Sequence, residues 1–134
     1  MNTTSSGQES DVPDIESISA VTIVVADMER SVSFYEALGF ERLYGGSGED
    51  FTSFRVGEGY LNLAYRKGLQ RVEVWGRTIF YVSDVDAMYR RVLEAGLTPE
   101  FHPRDAPWGE RYFHLRDPDG HELSMARPLR TTSS

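Results

Sequence analysis

"VTIVVADMERSVSFYEALGF", residues 21–40, contains a strand, a helix start, an amphipathic helix and a helix stop within one short segment. Val21 to Val25 is a β-branched run, the composition that fits a pleated surface. It meets Asp27, whose carboxylate can accept the free N–H groups of a first helical turn. Met28, Val32, Tyr35 and Leu38 then recur at helical spacing as a single apolar stripe. Gly39 follows, as a residue that can take the left-handed conformation at a helix C-terminus.

The same grammar returns 57 positions later in "RTIFYVSDVDAMYRRVLEAGL", residues 77–97, where Val25 meets Val82, Asp27 meets Asp84 and Gly39 meets Gly96. Val85, Tyr89, Val92 and Ala95 form the second stripe. Strand-like runs follow each helix: "RLYGG", "DFTSFRVG" and "YLNLAYR" in the first half, "TPEFHP", "RYFHLRD" and "HELSMAR" in the second. The chain is therefore expected to be α+β, two βαβββ modules in tandem, with hairpins between the later strands. Module one spans 17–68 and module two 74–128 of a domain covering 17–128, between a loose N-terminal tail at 1–16 and a C-terminal tail at 129–134.

Alternation divides each strand into two faces. Val21, Ile23, Val25, Phe54, Leu61, Leu63, Phe80, Phe113, Leu115, Leu123 and Met125 read as the helix-covered side. Ala20, Thr22, Ser53, Arg55, Tyr60, Asn62, Arg77, Tyr81, Tyr112, His114, Glu122 and Ser124 read as the other. Such a mixture is expensive to bury dry. Two twisted sheets joined at their edges would curl it into a concave wall suited to a ligand.

The 134 residues suffice for one core, and with 40% apolar residues no run approaches the length a bilayer span needs. No membrane partner is expected. The start "MNTTSSGQESDVPDIES" lacks a basic cluster and an apolar stretch, so it does not read as a signal peptide, and a cytoplasmic location is expected. Cysteine is absent, which excludes disulfides, thiolate nucleophiles and Cys-based zinc sites. A net charge of −7 without a basic stripe disfavours nucleic acid. It reads as a solvated acidic surface, with steering of a cationic ligand as the alternative.

The segment at 21–40, its echo from Thr78 to Leu97, and "FHLRDPDGHELSMARP" at 113–128 together resemble the vicinal oxygen chelate superfamily of glyoxalases, extradiol dioxygenases, fosfomycin resistance enzymes and bleomycin resistance proteins. The resemblance covers about residues 17 to 128. It implies a cupped eight-stranded mixed sheet with helices outside, usually in a homodimer. In the enzymes it implies a divalent metal held by His, Glu or Gln from the first and last strand of each module. The matching positions here are Ala20, Asn62, Arg77 and Ser124, a methyl group, an amide, a guanidinium and a hydroxyl. None suits a transition metal. No metal and no cofactor are therefore expected, and the closest likeness is to the metal-free bleomycin-resistance type, which sequesters a drug without a reaction.

The expected function is small-molecule binding, with Arg55, Tyr60, Asn62, Arg77, Trp108, Tyr112 and Ser124 lining the cup. Arg77 and Arg55 would meet an anionic group, while the tyrosines and Trp108 would supply apolar area. Trp108, in "APWGERYF", serves either as a stacking surface for a flat ligand or as a lid or dimer contact. His114 and Glu122 are the weaker candidates for acid–base chemistry, against a plain cross-strand pair, and an enzyme with a metal-free or atypical-metal site is the alternative function. His102 and His121 read as surface residues, Trp75 as an interface residue, "RDPDGH" as a tight turn, and Arg90 and Arg91 as a solvated helix face. Arg111 either anchors the Trp108 loop or reaches the ligand.

Overall fold

A computed structural model describes residues 12–129. The expected tails fall largely outside the described residues. β1 (Ala20–Val25) runs into α1 (Met28–Ala37). Asp27 sits between them in extended geometry and accepts a hydrogen bond from the Arg30 N–H at 3.1 Å. The whole stripe Met28, Val32, Tyr35 and Leu38 is buried, and Gly39 takes φ +103° to turn the chain away. β2 (Glu41–Tyr44), β3 (Phe51–Val56) and β4 (Gly59–Tyr65) complete the first unit.

The second unit repeats the plan: β5 (Arg77–Tyr81), α2 (Val85–Glu94), β6 (Arg104–Asp105), β7 (Glu110–Arg116) and β8 (Glu122–Pro128). Asp84 caps α2 by accepting from the Ala87 N–H at 3.0 Å. The strand orders correspond, β1-β4-β3-β2 and β5-β8-β7-β6, with the first strand of each unit parallel to its last. The eight strands form two four-stranded sheets, with no ladder joining them among the described residues.

In the secondary structure and its stripes, two details differ from expectation. "TPEFHP" is not a strand, and β6 is confined to Arg104 and Asp105. Pro99 and Pro103 remove N–H donors from that run, and its backbone is tied to β7 by the bond from Glu100 N to the His114 carbonyl at 2.8 Å. Ala95 is exposed, and Met88 with Tyr89 packs against the core beside Val85 and Val92 instead.

The apolar faces of both sheets, with the inner sides of α1 and α2, share one core. Phe40 and Phe80, one from each unit, meet edge to face with ring centroids 5.1 Å apart. A second joint is polar. The Asp119 carboxylate, on the turn between β7 and β8, accepts from the Ala26 N–H at 3.0 Å and the Ser31 hydroxyl at 3.3 Å, while Asp117 accepts from the Tyr35 hydroxyl at 2.8 Å. The turn expected at "RDPDGH" is present, and its carboxylates also clamp the second unit onto the first helix. Burial, followed by the neighbouring Asp117, pushes the Tyr35 phenol well above its ordinary range, so it stays a neutral donor. Gly120 takes φ +99°, and a Cβ there would lie 2.7 Å from the Val72 carbonyl.

His121 corrects the expectation of a surface residue: it is 4% exposed. Its Nε2 lies 2.8 Å from the Val24 carbonyl, and its Nδ1 accepts from the Trp75 indole N–H at 3.2 Å. A carbonyl can only accept and an indole N–H can only donate, so this network holds the neutral Nε2–H imidazole. Arg91 is likewise more than a solvated charge, since it donates to the Ala37 carbonyl at the end of α1.

Candidate functional site

With both apolar faces turned into one core, the opposite face of each sheet is left open. On the second sheet the register sets side chains in rows across β5, β8 and β7: Arg77–Glu122–Arg116, Ile79–Ser124–His114 and Tyr81–Ala126–Tyr112. The central strand carries the small Ser124 and Ala126, both buried under larger neighbours. Ser124, small between Ile79 and His114, leaves a hollow of about 380 Å³, lined by Arg77, Ile79, Trp108, Glu110, Tyr112, His114 and Ser124. A more apolar hollow of about 540 Å³ lies at the seam between the sheets, where Ala20 and Tyr60 face Trp75, Arg77 and Ile79.

Four of the seven expected lining residues, Arg77, Trp108, Tyr112 and Ser124, thus share one hollow, and Tyr60 joins Arg77 in the next. Arg55 lines a third, of about 200 Å³, and lies 4.0 Å from the Glu41 carboxylate. Asn62 lines none of these three, and its amide donates to the Thr22 hydroxyl at 3.1 Å. Arg111 forks onto Asp86 and Asp105, each at 2.9 Å, so it fastens the loop before Trp108 to α2.

Arg77 does not present a free guanidinium. Its Nε and Nη2 lie 3.0 and 2.8 Å from Glu122 Oε1. Glu122 is buried, and Arg116 also reaches it, at 3.6 Å, while holding Glu100 at 3.1 Å. Burial pushes the Glu122 carboxyl up, but hydrogen bonds from Arg77 and Glu100 and the Arg77 charge outweigh it, so the net shift is downward. Glu100 is pushed up, first by burial and then by its hydrogen bond with Glu122. Burial, then the Arg77 charge, lowers His114 and favours its neutral form.

His114 Nδ1 lies 3.9 Å from Glu122 Oε2, beyond hydrogen-bonding distance, so the two are neighbours rather than an acid–base dyad. Glu100, which sequence reasoning missed, joins them: ligand atoms of Glu100, His114 and Glu122 all lie within 4.8 Å of one another. The residue stands between two prolines in a run read as a strand, and periodicity offers no signal for it.

A carboxylate with a depressed folded pKa stabilises the fold above its ordinary value and loses that contribution on acidification. The Glu122 contribution is therefore expected to be full above pH 4.5 and to vanish as pH falls through its lower folded value. Glu100, shifted the other way, favours the folded state slightly on acidification. Melting curves between pH 3 and 7 should show a steeper acid limb in the wild type than in Glu122→Gln; parallel curves would refute the assignment.

Comparison with known proteins places the fold. Residues 17–125 match the profile of the Glyoxalase/Bleomycin resistance protein/Dioxygenase superfamily, and the chain belongs to that family. It is similar to an uncharacterized protein of Mycobacterium bovis, 45% identical over 49 residues, which is 37% of this chain and 32% of that protein. The match thus spans about a third of the mycobacterial relative's length. It is also 30% identical to the metallothiol transferase FosB of Shouchella clausii, over 83% of this chain and 80% of that one. Among solved structures, a bleomycin-binding protein complexed with bleomycin superposes with TM-score 0.67 at 22% identity, over 84% of this chain and 98% of that one.

A divalent transition metal calls for imidazole or carboxylate donors, and the four positions the resemblance points to offer neither. Ala20 offers no donor atom. Asn62 is tied to Thr22, Arg77 is a cation paired to Glu122, and Ser124 is a buried hydroxyl. They do not fit a divalent transition metal.

Proposed function

We propose that this chain is a metal-independent binding protein that sequesters a small, partly aromatic molecule, antibiotic-like in size, in a cup completed by a second copy of the chain. The observation that carries the reading is the hollow over Ser124, walled by Trp108, Tyr112, His114 and Ile79, with Arg77, paired to Glu122, on its lining where a metal-dependent relative would place a ligand. Aromatic walls with a few fixed polar groups suit capture of a flat organic molecule. The bleomycin complex of a protein with this fold supports the same reading. Dimerisation is supported by the open face itself: Ile79 and Tyr81 are 56% and 62% exposed, and Trp75 and Ile18 stand beside them at the seam. A second sheet laid over this face would bury that surface.

Native mass spectrometry of protein purified without chelator from its own host should show a dimer retaining an organic molecule. One equivalent of transition metal per cup would overturn the reading. A second reading, an enzyme with an atypical metal, is favoured by the likeness to FosB and by the Glu100–His114–Glu122 cluster. Against it stand the two guanidinium groups already in that cluster, which a dication would have to displace. The same metal analysis distinguishes the two.

A further inference from the structure

The charge of the ligand can be read from the hollow, given that the cup is a binding site at all. Two arginines on the concave faces suggest an anionic ligand when only the sequence is considered. In the folded chain Arg77, which lines the hollow, is balanced by Glu122, and Arg116 beside it holds Glu100 and Glu122. Arg55 lines a different hollow.

The rim has the opposite character. Glu110 opens β7 on the same face as Tyr112 and His114 and lines the hollow. Its carboxylate receives the Trp108 indole N–H at 3.1 Å on Oε1 and the Tyr81 hydroxyl on Oε2. Both donors are neutral, and the hydrogen bond to Glu110 pushes the Tyr81 phenol up, so it remains a donor. Among the described residues no basic side chain forms an ion pair with Glu110. The hollow thus has at its rim a carboxylate that meets only neutral donors, with the Arg104 guanidinium 5.6 Å from the centroid of the Tyr112 ring.

Around that charge stand three aromatic rings. Trp108 and Tyr112 have centroids 5.5 Å apart, and Tyr81 stands across Ala126 from Tyr112 with its hydroxyl on Glu110. Aromatic faces carry negative quadrupole charge and attract cations, most strongly where a carboxylate stands beside them. The same cluster already receives a cation on its outer part: the Arg104 guanidinium lies 3.8 Å over Phe101, whose ring centroid is 5.5 Å from that of Tyr112. Arg104 is fastened there by its bond to the Tyr112 hydroxyl at 3.3 Å, and its charge bounds the site on the β6 side.

We infer that the hollow lined by Trp108, Tyr112 and Glu110, with Tyr81 bonded to Glu110 at its edge, recognises an organic cation, a protonated or quaternary nitrogen carried on a flat ring system. The nitrogen sits against Glu110 and the ring stacks on Trp108 and Tyr112. This deepens the sequestration reading and rests on it.

Three shape-matched probes test the charge: N-methylquinolinium, quinoline, which is neutral near neutral pH, and quinoline-2-carboxylate. Calorimetric titration of the full chain should show the cation binding at least about tenfold more tightly than quinoline, and the carboxylate binding weakest. In Glu110→Gln, whose amide oxygen still accepts from the Trp108 N–H while its NH2 can donate to the Tyr81 hydroxyl, the cation should lose most of that advantage while quinoline is unchanged. Added salt should weaken the cation alone in the wild type, a readout independent of any variant's folding. Tighter binding of the carboxylate, or a Glu110→Gln variant with the original ranking, overturns the charge assignment and leaves sequestration standing. No binding by any of the three overturns both.

Discussion

Asp119→Ala is expected to destabilise the protein by about 2–5 kcal/mol, since each donor left without an acceptor out of water costs about 1–3 kcal/mol. The carboxylate is buried and accepts from the Ala26 N–H and the Ser31 hydroxyl, and Arg30 stands 3.7 Å away. Truncation leaves that amide and that hydroxyl, already out of water, without an acceptor. It also releases the β7–β8 turn from α1. A domain of this size has a total stability of roughly 5–15 kcal/mol, so the variant should sit near the edge of folding. Asp119→Asn, which retains one oxygen for the Ala26 N–H, should lose less. Urea unfolding checks both, and a midpoint for Asp119→Ala close to that of the wild type would show that the clamp is dispensable.

Phe80→Ala is expected to destabilise by about 3–5 kcal/mol through the lost burial and the cavity left behind. Phe80 is buried on β5 and packs edge to face on Phe40 at the end of α1, so it joins the apolar faces of the two units. Because both units contribute to one core, the variant should still unfold in a single transition, at lower denaturant. Two separated transitions by fluorescence and circular dichroism would mean that the units fold independently, and would contradict the shared core.

The tandem plan was legible in the chain because its signals are local. An N-cap carboxylate acts three residues away, an apolar stripe repeats within ten, and Gly39 and Gly96 act on the backbone where they stand. Face alternation also carried over, since side-chain direction along a strand follows from the pleat alone. The residues placed on the open face are on it. The error at "TPEFHP" has a local cause as well: two prolines outweighed a run of strand-forming neighbours.

What the residues alone settled about this protein is the pair of repeated units, the face each strand turns inward, and the lack of metal donors at Ala20, Asn62, Arg77 and Ser124. What only the tertiary structure decided is which charges are free. Asp117 and Asp119 find their partners 82 to 93 positions away, Arg77 is paired with a glutamate 45 positions away, and Glu110 is left with neutral donors alone. Electrostatic character belongs to distances in space, and the chain order of a folded protein does not reveal which distant charges will be brought together.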